Sequence, residues 1–109
     1  LGHPAYDAYW QAMIPYREEF AAIDIPVLAT TGYFDGGRVG VQYYFDEHTR
    51  RHPRADHTLL IGPYGHIAMQ QGALRQIEGY DVDPAAMIDL PGLRLAWLDH
   101  IFKGTPKPE

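Results

Sequence analysis

Ile25-Pro-Val-Leu-Ala-Thr-Thr-Gly-Tyr-Phe-Asp35 and His57-Thr-Leu-Leu-Ile-Gly-Pro-Tyr-Gly-His66 decide how this chain reads. Val27 to Thr31 is apolar and β-branched without alternation, as expected of a strand covered on both faces. His57 to Ile61 has the same character. Between them, Val41, Tyr44, Phe45 and His48 fall at i, i+3, i+4 and i+7 in a charged frame, which predicts an amphipathic helix over Arg38 to His52, stopped by Pro53. Strand, helix and strand at this spacing form a crossover unit, and crossovers are right-handed and parallel. Both strands then point the same way. Asp35 and His66 leave the same sheet edge, where side chains of an open parallel sheet converge on ligands. A carboxylate beside an imidazole is the acid and base half of a nucleophilic triad.

Working outward, His3 to Met13 is aromatic-rich and predicts a helix with Pro4 in its first turn and Pro15 at its end. Tyr16 to Ala22 predicts a second short helix. Beyond His66 the expectation is a long connection. In it, Asp83-Pro84 caps a short turn and Pro91-Gly92 resets the chain. A last helix runs from Leu93 to Phe102, with Leu93, Trp97, Leu98 and Ile101 on one face, Lys103 in the last turn and Gly104 as its stop. The fold class is α/β, with no internal repeat or low-complexity tract.

Composition narrows the function. The 109 residues carry 14 acidic against 9 basic side chains, a formal net charge of -5, and no Lys/Arg cluster interleaves with the aromatics. That argues against nucleic acid as a partner and favours an uncharged or cationic small molecule. Hydrophobic residues make up 46% and charged residues 21%, as in globular rather than disordered chains. The absence of cysteine removes disulfides, thiolate metal sites and a cysteine nucleophile. No apolar run approaches membrane-spanning length. The opening Leu-Gly-His-Pro is neither a signal peptide nor an initiator methionine, so a piece of a longer chain is expected.

The segments Asp24 to Asp35, Leu60-Ile-Gly-Pro-Tyr-Gly-His66 and Leu95-Ala-Trp-Leu-Asp-His-Ile-Phe-Lys-Gly104 resemble the last part of the catalytic domain in the X-prolyl dipeptidyl-peptidase and cocaine esterase-like family of α/β-hydrolases. His3-Pro-Ala-Tyr-Asp-Ala-Tyr-Trp10 is similar to the segment by which that family's helical cap returns to the sheet. The resemblance implies residues 1–22 as the end of the cap and 23–109 as the C-terminal part of the catalytic domain. It implies a serine hydrolase acting on an ester or an X-prolyl peptide or amide, with Asp35 as triad acid and His66 as triad base, in the order serine, acid, histidine. It implies no cofactor and no metal. The serine belongs upstream on a Gly-x-Ser-x-Gly elbow, and this chain has no serine; its aliphatic hydroxyls are Thr30, Thr31, Thr49, Thr58 and Thr105. The rest of the parent hydrolase chain is therefore an expected partner, because it holds the nucleophile and the oxyanion donors. Family members acting on α-amino acid esters place acidic residues after the triad aspartate, where Gly36, Gly37 and Arg38 stand here.

Tyr33, Phe34 and Tyr64 flank the pair and are candidate walls of an apolar acyl pocket, although core packing explains such aromatics equally well. His48 and His52 sit one helical turn apart, but lack the glutamate of a zinc-protease motif and read as a solvated helix face. Asp81 and Asp83 fit turn and N-cap roles better than calcium. The competing function class is a non-catalytic α/β binding or scaffold module.

Overall fold

A computed structural model describes residues 2–109. Strands β1 (Val27–Gly32) and β2 (His57–Gly62) pair in parallel with Val27 opposite His57 and Gly32 opposite Gly62. Helix α2 (Arg38–Arg51) joins them. Its apolar stripe packs on the sheet: Phe45 meets the His57 ring edge to face at 5.0 Å, and Val41, Tyr44 and His48 share a cavity with Val27 and Ala29. Because side chains alternate along a strand, Leu28, Thr30, Thr58 and Leu60 point to the opposite face. Helix α4 (Leu90–Lys103) covers that face through Leu93, Arg94 and Trp97. The result is a mixed helix and strand fold, with helices on both faces of a two-stranded parallel sheet.

Local chemistry sets the helix ends. In α2, Glu47 pairs with Arg50 and Arg51 near the C-terminus, and Pro53 comes directly after the His52 cap. α4 starts earlier than its apolar pattern implies. The Asp89 carboxylate accepts the Gly92 N–H at 3.0 Å, and Pro91 sits in the first turn, where its missing N–H is not needed, so Pro91-Gly92 opens the helix instead of resetting the chain. Gly104, at φ 70°, closes it in the left-handed conformation. Leu98, expected on the packing face, is exposed.

Two further expectations are corrected. The helix over His3 to Met13 contracts to α1 (Ala8–Gln11), because Asp7 caps it through the Tyr9 N–H while His3 folds back, donating to Asp7 and stacking on Tyr9. The long connection after His66 contains α3 (Ala68–Gln71) and an antiparallel hairpin, β3 (Gln76–Ile77) with β4 (Tyr80–Asp81). The hairpin turns at Glu78 and Gly79, both at positive φ as a type I′ loop requires. Tyr16 to Ala22 forms a 3₁₀ turn over Arg17–Ala22, and Asp83 caps another over Pro84–Ala86. Phe20 in the first of these is fully buried against Tyr43 and Tyr44 of α2. A second apolar cluster, Tyr64, Ala68, Met69 and Leu90, lies beneath the loop after β2. Among the described residues no helix is long and apolar enough to cross a membrane.

Candidate active site

Backbone pairing does not stop where the strands end. The Tyr33 N–H donates to the Gly62 carbonyl at 2.9 Å and the Phe34 N–H to the Tyr64 carbonyl at 3.2 Å. These two bonds carry the register through both loops and bring Asp35 and His66 to the same edge. The approach needs two glycines. A Cβ on Gly32 would lie 1.9 Å from the Tyr64 carbonyl oxygen, and one on Gly62 would lie 2.2 Å from the Tyr64 ring.

At that edge His66 Nδ1–H donates to Asp35 Oδ2 at 3.3 Å, a tautomer assigned because a carboxylate only accepts. The other carboxylate oxygen accepts the Gly37 N–H at 2.9 Å, closing the turn that leads into α2. That Gly37 bond is the largest influence holding the Asp35 carboxyl below its ordinary value; partial burial opposes it and His66 reinforces it. The carboxylate side chain is 9% exposed and the imidazole 71%. The carboxylate is therefore fixed and shielded, while the imidazole presents its outer edge, with Nε2 free of hydrogen bonds among the described residues. This arrangement can hold an imidazole in one tautomer and offer Nε2 as a proton acceptor. Among the described residues no hydroxyl is hydrogen-bonded to the His66 ring.

The three flanking aromatics separate. Tyr33 and Phe34 lie on the surface beside the pair. Tyr64 is instead buried in the core, where its hydroxyl donates to the Ala86 carbonyl at 3.0 Å and burial raises its pKa. Cavities elsewhere are lined by neither Asp35 nor His66: the largest of them, about 570 Å³, is lined by Arg75, Val82 and Met87. One of about 450 Å³ is lined by Tyr6, Ile14 and Tyr16, and one of about 270 Å³ by Phe20, Val41 and His57. Of the three aromatics, Tyr33 and Phe34 leave side-chain surface exposed next to Asp35 and His66.

His48 is not on a solvated face. It is buried, with Nε2–H donating to the Ile23 carbonyl at 2.9 Å, so its bare Nδ1 accepts from His57 Nδ1–H at 3.1 Å. His52 turns instead toward Asp24, at 3.7 Å. Among the described residues no group of three His, Asp or Glu side chains is placed to hold a metal ion. The Asp81 carboxylate accepts from Gln76 and that of Asp83 from the Ala85 N–H. Sequence spacing carries no signal of the His48–His57 pair, whose members lie on different elements. Nor does it single out Arg94, whose guanidinium donates to Thr30 and to the Met69 carbonyl.

No family model, curated protein or solved structure matches the chain.

Proposed function

We propose that this chain supplies the acid and base of a serine hydrolase of the α/β-hydrolase class, cleaving an ester or an X-prolyl peptide or amide through an acyl-enzyme. The single observation that carries the proposal is the contact between Asp35 and His66 beyond the C-terminal ends of neighbouring parallel strands, acid before base in the chain. In this reading His66 Nε2 takes the proton of a serine hydroxyl held by the rest of the parent chain, as that oxygen attacks the carbonyl carbon. The resulting imidazolium, stabilised by Asp35, returns the proton to the leaving group. Water then repeats the sequence on the acyl-enzyme. Tyr33 and Phe34 contribute apolar surface toward the acyl group. Gly36, Gly37 and Arg38 offer no carboxylate to a substrate ammonium, which favours an acyl group without one.

The competing reading is a non-catalytic binding module of the same fold. It is favoured by the exposure of the imidazole. A labelled fluorophosphonate applied to the longer protein containing this chain separates the two. Covalent labelling that disappears in His66→Ala is expected; labelling indifferent to His66→Ala removes His66 from the mechanism, and no labelling at all favours the binding module.

A further inference from the structure

The imidazole of His66 needs more than Asp35 to stay in place. Backbone bonding between the two loops ends at the Phe34 to Tyr64 hydrogen bond, and Gly65 separates that bond from His66. Just beyond His66 the chain enters α3, a single turn whose Met69 N–H returns to the Gly65 carbonyl at 3.1 Å. Four residues of helix have no stability of their own. His66 thus lies between the Tyr64 backbone bonds on one side and α3 on the other, so a shift of α3 moves it.

Two things hold α3. One is the apolar cluster of Tyr64, Ala68, Met69 and Leu90, which is non-directional. The other is Arg94. One nitrogen of its half-buried guanidinium, Nη2, donates to the Thr30 hydroxyl at 2.9 Å and also to the Met69 carbonyl. Thr30 lies in β1, five residues before Asp35, and Met69 lies in α3, three residues after His66. A single nitrogen on α4 thus ties the strand that presents the acid to the helix turn next to the base. Both partners are neutral, so a half-buried cation is held here without a carboxylate from either of them, an arrangement poorly explained as a stabilising ion pair. The planar guanidinium fixes its hydrogens in direction, as a flexible ammonium does not.

We infer that Arg94 is a positioning residue that sets the geometry of the Asp35–His66 pair by clamping α3 to β1. The inference rests on the acid and base reading of that pair, and its test separates the two.

The readout is the tautomer of His66 in the 109-residue chain, taken from the ring nitrogen shifts of ¹⁵N-histidine-labelled protein above the imidazole's titration range. Asp35 selects the Nδ1–H form, so Asp35→Asn is expected to shift His66 toward Nε2–H. Arg94→Met is expected to lower the ratio of Nδ1–H to Nε2–H about tenfold, the order that one charge-assisted hydrogen bond contributes. Thr30→Val removes only the β1 anchor and is expected to move the ratio in the same direction, with amide protection in β1 and β2 retained. It also decides the matter if Arg94→Met fails to fold. A ratio within about twofold of wild type in folded Arg94→Met or Thr30→Val, well short of the loss of one such bond, overturns the role of Arg94. A ratio indifferent to Asp35→Asn overturns the pair itself, and with it any need to position it.

Discussion

Gly32→Ala puts a methyl group where β1 meets the carbonyl that carries the loop register. The new Cβ lies 1.9 Å from the Tyr64 oxygen, and real Cβ contacts essentially never fall below 3.0 Å, so the two backbones must part by about 1.1 Å. The obstacle is backbone on both sides, and no rotamer change relieves it. Overpacking of this kind costs about 1–3 kcal/mol. The same displacement stretches the 3.2 Å bond from Phe34 to Tyr64 beyond hydrogen-bonding range, a further loss of about 1 kcal/mol. Together these give a destabilisation of about 2–4 kcal/mol, which for a domain of this size lowers Tm by roughly 10 °C or more. Urea titration monitored by tryptophan fluorescence measures it, with Gly40→Ala as control. Gly40 lies within α2, where an added Cβ meets nothing within 4 Å, so that substitution is expected to stabilise. Gly32→Ala within about 0.5 kcal/mol of wild type, the range of an inconsequential surface change, refutes the claim that this close approach builds the site.

Acid weakens the fold through the half-buried His57. Burial first, and His48 second, hold His57 below its ordinary 6.5, so the native state binds fewer protons than the unfolded chain just below that pH. Stability present above pH 6.5 therefore declines as pH falls from there toward the lowered native value, a slope measurable from urea midpoints at successive pH values and expected to flatten in His57→Leu. The lowered carboxyl of Asp35 acts in a separate window: its contribution is present above the ordinary 3.8 and is lost as pH falls through the native value. Asp89→Ala removes the side-chain acceptor of the Gly92 N–H and is expected to cost about 1 kcal/mol, read from the same titrations.

The elements legible in the sequence are those whose signals are local. The apolar runs at Val27 and His57, the stripe from Val41 to His48, the Asp83-Pro84 cap and the Gly104 stop each depend on residues a few positions apart, and the structure has an element at each. The start of α4 is harder to read, because proline looks like a break unless its capping residue is found, and Asp89 supplies that cap two positions earlier. The β3–β4 hairpin hides because its turn puts Glu78, not asparagine or glycine, at positive φ. At the site, strand direction alone predicts the convergence of Asp35 and His66. It does not predict the burial of Tyr64 or the bridge from Arg94, since each depends on partners far along the chain: Ala86 for the first, Thr30 and Met69 for the second.

Asp-Gly-Gly after a strand is ordinarily a turn, and the turn reading of Asp35 competes with the catalytic one only if the carboxylate serves a single purpose. Here its oxygens divide the work. Oδ1 accepts the Gly37 N–H and shapes the entry to α2, while Oδ2 faces the imidazole. The first bond also supports the second, because a carboxylate already hydrogen-bonded on one side has fewer orientations to lose when it engages His66. It keeps the group ionised too, which is the state a triad acid needs when the imidazole becomes positive. The two roles can be separated chemically. An asparagine at position 35 retains an oxygen for the Gly37 N–H, but presents an amide donor to His66. The turn would then survive while the imidazole is driven to the opposite tautomer, so the structural role of this residue supplies a folded background in which its chemical role can be removed alone.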